Sequence, residues 1–142
     1  MFTTQTCTPA FHGSQNALQA VLSHALKKLP FDKQSLWQIR HMEHHPSGGQ
    51  SQNFTLLTDG PSFFLKITPR AKLPLLHSQM HCSTELLKQH ALRCCRPYAC
   101  GQLGEYAYLL LEHLNLQADG DWHLAGQQLA QLHKSGGSTR YG

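Results

Sequence analysis

One stretch decides how this chain folds: Ser47-Gly-Gly-Gln-Ser-Gln-Asn-Phe-Thr-Leu-Leu-Thr-Asp-Gly-Pro-Ser-Phe-Phe-Leu-Lys-Ile67. It predicts a glycine-rich loop, a strand, a tight turn and a second strand. Asp59-Gly60 stands between two apolar runs, which is a strong hairpin signal because glycine supplies the positive φ that the turn needs. Gly48-Gly49 would let backbone N–H groups crowd round an anion such as a phosphate. Lys66 is flanked by apolar residues, where a lysine without a partner is rarely tolerated.

A phosphate-cradling loop followed by a lysine on the next strand is the arrangement that holds ATP in a kinase lobe. Taken alone, the lysine would be interpreted as a strand-edge side chain that reaches to water. The glycine pair alone would be an ordinary turn. The order of loop, strand and Lys66 favours the nucleotide role for both.

Length and composition limit the alternatives. The 142 residues suffice for one domain with a real core but are too few for a complete two-lobed kinase. The net charge of +4 is spread along the chain, and no basic stripe or aromatic platform indicates nucleic-acid binding. No run of 18 apolar residues predicts a membrane span, and the N-terminus lacks the regions of a signal peptide.

The cysteines indicate the compartment. Their number, five, is odd, and Cys94 and Cys95 are adjacent. This pattern favours reduced thiols in the cytoplasm over a disulfide framework.

Periodicity predicts three helices and five strands. Apolar residues at helical spacing predict a first helix from the N-cap Ser14 to about Leu29, ended by Pro30. The other predicted elements, in chain order, are strands at Leu36–Met42, Asn53–Thr58 and Ser62–Ile67, a helix at Leu75–His90, strands at Pro97–Cys100 and Tyr106–Glu112, and a helix at Trp122–Lys134 capped by Asp121. The inserted helix is expected to face inward with Leu76, Met80, Ser83, Leu86 and Leu87. The predicted fold class is therefore α+β, a kinase-like N-lobe with a five-stranded antiparallel sheet, one helix inserted after the third strand, an N-terminal helix and the first C-lobe helix.

Several segments carry a family resemblance, namely Gly48-Gly-Gln-Ser-Gln-Asn-Phe54, Phe63-Phe-Leu-Lys-Ile67, Leu73-Pro74, Arg96-Pro-Tyr-Ala-Cys-Gly101, Tyr108-Leu-Leu-Leu-Glu-His-Leu114 and Gly126-Gln-Gln-Leu-Ala-Gln-Leu-His133. Together they resemble the fructosamine kinase (ketosamine-3-kinase) family, which is related to aminoglycoside phosphotransferases and protein kinases. The resemblance covers about Leu36 to Gly142. Its most specific part is the Gly126–His133 run.

The resemblance implies an ATP- and Mg²⁺-dependent kinase that phosphorylates ketosamines, either small molecules or glycated protein amines. It implies a nucleotide-binding N-lobe over residues 1–112, then a hinge and the first helix of a C-lobe over 113–142. The implied nucleotide site comprises a phosphate loop, a lysine for the α and β phosphates with its helix partner, and a hinge that holds adenine. In this sequence those positions are Gly48, Gly49, Gln50, Ser51, Gln52 and Asn53 for the loop, Lys66 and Gln79 for the pair, and Glu112 and Leu114 for the hinge.

Two departures from the family pattern matter. The family's helix glutamate falls on Gln79, and Glu85 cannot replace it because six residues at about 100° each put it on another face. Gln79 is expected to approach Lys66 without neutralising it. The family's catalytic loop and its Mg²⁺-binding aspartate would lie beyond residue 142, so no catalytic residue is assigned and this chain alone is expected to be inactive.

The sequence gives little support for a metal site or for a catalytic nucleophile. His77 and His81 are spaced i, i+4 beside Cys82, but no acidic residue or third ligand accompanies them. Cys94, Cys95 and Cys100 lack Cys-x-x-Cys spacing. No metal site and no nucleophile with its base are therefore predicted.

The favoured interpretation is the ATP-binding part of a truncated ketosamine-3-kinase. Two alternatives remain: a kinase for another small alcohol, such as an aminoglycoside or choline, and a non-catalytic module that binds a nucleotide or a partner protein. The last helix also carries an apolar stripe, Trp122, Ala125, Leu129 and Leu132. Such a stripe is typical of a buried face, and it predicts association into a homodimer.

Overall fold

The computed structural model of the chain describes residues 15–29, 38–47 and 49–136. Its elements are α1 (Gln15–Lys27), β1 (Ile39–His45), β2 (Gln52–Thr58), β3 (Phe63–Pro69), α2 (Leu73–Gln89), β4 (Pro97–Leu103), β5 (Tyr106–Glu112) and α3 (Trp122–Ser135). The strands form one antiparallel sheet in the order β1-β2-β3-β5-β4. The predicted α+β class, with a helix inserted after the third strand, is confirmed.

The ends of the strands are set by hydrogen bonding to the neighbouring strands rather than by the local sequence pattern. β5 begins and ends at the predicted residues. β1 runs three residues further than predicted, to His45, because it pairs with β2 as far as Asn53. β4 continues to Leu103, since it closes on β5 through a two-residue turn that begins at Gly104, with φ +57°.

The β2–β3 hairpin is confirmed, but its turn is not the predicted one. The connection spans residues 59–62, and Gly60 does not adopt positive φ. Instead, Thr58 Oγ1 accepts a hydrogen bond from Gly60 N at 2.9 Å and donates one to the Pro61 carbonyl at 2.7 Å. A threonine hydroxyl therefore organises the turn.

α1 covers one face of the sheet. Of the apolar residues at helical spacing that predicted the first helix, Leu18, Val21, Leu22, Ala25 and Leu29 are buried. Leu26, which belongs to the same set, is half-buried. The cluster comprises Leu18, Val21, Leu22, Ala25 and Leu29 from the first helical segment, and Phe54, Leu56, Phe63, Leu65, Ile67, Ala99, Tyr108 and Leu110 from the sheet. Full burial of one such aliphatic or aromatic side chain stabilises the fold by about 1.5–3 kcal/mol. The predicted cap Ser14 and terminator Pro30 lie outside the described residues.

α2 packs on the opposite face, where Leu76 is buried against Ala107 and Leu109. The helix begins at Leu73, with Pro74 in its first turn rather than before it.

The predicted inward position of Leu86 is wrong, since this side chain is 37% exposed. At about 100° per residue, Leu86 lies about 80° round the helix from Leu76, whereas Leu87 lies about 20° away. Leu86 therefore lies at the edge of the buried face of α2, where it is exposed to solvent.

α3 begins as predicted after Asp121, whose Oδ1 accepts a hydrogen bond from Leu124 N at 2.9 Å. None of its residues is buried, and Trp122 is 80% exposed. Among the helices that the structure describes, none combines the length and the apolar character needed to cross a membrane.

Candidate functional site

The loop between β1 and β2 is open on its glycine side. Gly48 lies outside the described residues, while Gly49 and Gln50 are exposed. Ser47 Oγ donates a hydrogen bond to the Ser51 carbonyl and so closes the base of the loop. A Cβ added at Gly49 would meet no atom within 4 Å, and Gly49 is not at positive φ. Nothing within the described protein therefore requires glycine at residue 49, and the space beside it is free for a ligand.

Lys66 lies on the sheet face that α2 covers. The register aligns it with Asn53 on β2 and Leu109 on β5, so these three side chains share that face. Its Nζ donates a hydrogen bond to Gln79 Oε1 at 3.2 Å. The predicted approach of Gln79 to Lys66 is confirmed.

The partner of Lys66 is neutral. Every acidic residue except Asp32 lies in the described part of the chain. The ion pairs formed there join Arg40 to Asp59, Lys88 to Glu85 and Arg93 to Glu112. No described carboxylate lies within 4.0 Å of the Lys66 ammonium. The charge at the centre of the site is thus positive and uncompensated by any described residue.

Asn53 adds an unused acceptor next to Lys66. Its Oδ1 is buried and has no hydrogen-bond partner within the described structure. Buried polar atoms in folded proteins nearly always have a hydrogen-bond partner, so this oxygen is an acceptor that water or a ligand can use. Gln52, the adjacent residue, aligns with Ile67 and faces the opposite side of the sheet. Of the predicted loop residues, Gln52 and Asn53 therefore belong to β2, and Asn53 is the one of these two that lies on the Lys66 face.

The stacked rings of Phe64 and His45, which we call the Phe64 platform, lie on the sheet near Lys66 and were not predicted. Phe64 shares the Lys66 face and stacks on His45, with ring centroids 6.3 Å apart and 20° between the planes. His45 Nε2 and Thr55 Oγ1 are 2.7 Å apart. Strand alternation, which puts residues i and i+2 on one face, was the available signal. These side chains offer a flat surface between Lys66 and the end of β5.

The exit of β5 is held by Glu112. Its Oε1 accepts a hydrogen bond from Arg93 Nη2 at 2.6 Å, and its Oε2 accepts one from Arg96 N at 3.2 Å. The Glu112 N–H donates to the Arg96 carbonyl at 2.7 Å. The Glu112 side chain is thus engaged in fixing the segment that precedes β4. Leu114 is half-buried and hydrogen-bonds to no described residue, so its backbone groups are open to a ligand.

These residues fit an anionic ligand better than a metal ion. A lysine ammonium beside an open loop suits phosphate oxygens. Mg²⁺ requires a near-octahedral set of oxygen ligands. In the described ranges, no three His, Cys, Asp or Glu side chains come together to hold a metal ion. The described residues therefore offer donors to phosphate oxygens and do not supply a ligand set for Mg²⁺.

Comparison with known proteins identifies the family. A family model for fructosamine kinase matches residues 21–142. A candidate ketoamine kinase from Synechocystis sp. is 27% identical over 99 residues, which cover 68% of this chain and 34% of that protein. A crystal structure of a candidate fructosamine-3-kinase from Haemophilus somnus 129PT has the same fold, with a TM-score of 0.63 at 23% identity over 69% of this chain and 34% of that one. The chain thus matches about a third of the length of these relatives, and it belongs to the fructosamine kinase family.

Proposed function

We propose that this chain is the ATP-binding N-terminal part of a ketosamine-3-kinase-type phosphotransferase. The observation that carries the proposal is the Lys66–Gln79 contact, which lies on the same sheet face as Asn53. It gives the site a fixed cation with unused donors next to an open loop. Family membership supplies the reaction class, transfer of a phosphoryl group to an alcohol.

Each residue has a role in nucleotide binding. Lys66 donates hydrogen bonds to phosphate oxygens, and the backbone N–H groups of Gly49 and its neighbours surround the phosphate chain. The adenine ring lies against Phe64, and the backbone of Leu114 bonds to its edge. These contacts position the nucleotide and supply no proton transfer.

The acceptor is a ketosamine, carried by a small molecule or by a glycated protein amine. Phosphoryl transfer needs a group that orients the acceptor hydroxyl. No described carboxylate lies beside Lys66 to do so. In our proposal, residues 1–112 form the nucleotide-binding lobe, residues 113–142 form the hinge and first helix of a C-lobe, and this chain alone transfers no phosphate. Its reduced cysteines favour a cytoplasmic location.

Calorimetric titration with ATP tests the nucleotide role. Lys66→Ala should weaken binding by about tenfold or more, since a charge-assisted contact contributes on the order of 1.5–3 kcal/mol. Lys134→Ala removes the same charge from an exposed position on α3 and should leave the affinity unchanged. Equal affinities of the wild type and Lys66→Ala would contradict the assignment.

Activity is measured on the same preparation with a fructosyl-amine acceptor. No ADP above the background rate is expected. Turnover by the chain alone would overturn the claim that it lacks a catalytic group. Binding without turnover is also what a non-catalytic nucleotide module would give, and an active longer protein that contains this chain would exclude that alternative.

A further inference from the structure

The Lys66 side chain makes a single described hydrogen bond, to the neutral amide of Gln79. A carboxylate at residue 79 would cancel the lysine charge before any ligand arrived. The amide oxygen holds the ammonium in place and leaves its charge intact. The site therefore presents a full positive charge to whatever it binds.

The same face offers nothing for a divalent cation. Asn53 Oδ1 is one neutral oxygen, far short of the ligand set that Mg²⁺ takes. The described carboxylates on either side of Lys66 in the sequence, Asp59 and Glu85, pair with Arg40 and Lys88 and form no ion pair with Lys66. A divalent cation that arrived bound to the nucleotide would be coordinated by none of the described residues on this face.

The charge of a triphosphate depends on its metal. A fully ionised triphosphate chain carries about four negative charges, and a bound divalent cation cancels about two of them. The metal-free form is attracted more strongly by an uncompensated lysine. The metal-bound form would bring a second cation close to Lys66 and would lose part of that attraction.

Resting on the proposed function, we propose that this chain binds metal-free ATP in preference to the magnesium complex of ATP. The contact between the charged Lys66 ammonium and the neutral amide of Gln79 is the determinant of this preference. It defines the ligand of the site as a free, highly charged polyphosphate.

The experiment compares ATP affinities of the wild-type chain in two buffers of equal ionic strength, one with EDTA and one with excess Mg²⁺. We expect ATP to bind about threefold to tenfold more tightly in EDTA, the range given by about two extra negative charges near a partly exposed, solvent-screened lysine. Gln79→Glu should weaken binding in EDTA by a similar factor and should abolish the difference between the buffers. Gln89→Glu makes the same change at the end of α2, about 15 Å away along the helix, and should preserve the preference.

The outcomes separate this inference from the proposed function. Equal binding in the two buffers, or tighter binding with Mg²⁺, overturns the inference and leaves the nucleotide site standing. Failure to bind ATP in both buffers overturns the proposed function and the inference with it. A preference for EDTA that Gln79→Glu leaves unchanged, in a variant that melts at the wild-type temperature, removes Gln79 as the determinant.

Discussion

The hydroxyl of Tyr108 lies 2.7 Å from Nδ1 of His24 and so joins β5 to α1. The Tyr108 ring is fully buried, and the two rings meet edge to face with centroids 5.6 Å apart. Lys28 Nζ lies 5.7 Å from the centroid of the same tyrosine ring. α1 is therefore fixed to the sheet by a polar contact inside an apolar cluster.

Tyr108→Phe should destabilise the chain by about 1 kcal/mol, the net value of one buried hydrogen bond, because the ring still fills its space. Urea unfolding measures the change, with an unaltered m-value expected. A loss of several kcal/mol would contradict this prediction, because it would exceed the contribution of the single hydrogen bond between Tyr108 and His24.

The same tyrosine should make stability sensitive to alkali. Burial raises the pKa of Tyr108 to about 12, above its ordinary value near 10. Since the folded state holds this proton more tightly than the unfolded state, the stabilisation is complete below about pH 10 and is lost as the pH rises towards 12. Ultraviolet absorbance of the phenolate should show a late-titrating component in the wild type that Tyr108→Phe removes. Identical titration curves for the two proteins, after allowance for the missing phenol, would contradict this.

Two glycine-to-alanine substitutions should have opposite effects on stability. A Cβ at Gly101 would lie 2.7 Å from the Tyr108 hydroxyl and 2.5 Å from Lys28 Nζ. The lysine can move but the buried ring cannot, so Gly101→Ala should destabilise by about 1–3 kcal/mol. Gly49→Ala meets no atom and should be neutral or slightly stabilising. Thermal melting of the two variants decides the matter, and equal melting temperatures would contradict the prediction.

The thiols should react with alkylating agents at different rates. Burial raises the pKa of Cys95, with a further contribution from the nearby Glu112 carboxylate. Burial also raises the pKa of Cys100, against the opposing charge of Lys28. Because the thiolate is the reactive species, both should lag behind the exposed Cys82 at pH 8. Peptide mass spectrometry after timed iodoacetamide treatment measures the order. Modification of Cys95 as fast as Cys82 would contradict it.

α3 should drive association of the chain. Trp122 is 80% exposed and Leu129 is 47% exposed, and burying such surface contributes about 25 cal/mol per Å². Light scattering at micromolar concentration should give a dimer mass that falls to the monomer value in Leu129→Glu combined with Leu132→Glu. Gln131→Glu, at an exposed position on the same helix, is the control. A monomer mass for the wild type would refute the association.

The sequence predicted what local pattern determines. Apolar spacing was sufficient for the α1 stripe, whereas the Lys66–Gln79 contact was predicted from the family resemblance, which places the helix partner of the lysine at residue 79. It did not predict the Thr58 turn, because a side-chain hydroxyl replaced the glycine geometry. Nor did it predict the exposed Leu86, because the buried face of α2 is centred on Leu76, and Leu86 lies about 80° round the helix from that residue. Alternation along β3 places Phe64 on the Lys66 face, but its stacking on His45 depends on the pairing of β1, β2 and β3, which the sequence does not give.

Strand order has a consequence for folding kinetics. β1–β2, β2–β3 and β4–β5 are hairpins between neighbouring strands, whereas β3 pairs with β5 across residues 70–105, which include α2. Hairpins close in microseconds, but the long loop carries a larger closure entropy. We expect the β3–β5 pairing to be the slow step. The Lys66–Gln79 contact joins β3 to α2, which packs on β4 and β5, and we expect native-state hydrogen exchange to find α2 opening before the β2–β3 hairpin.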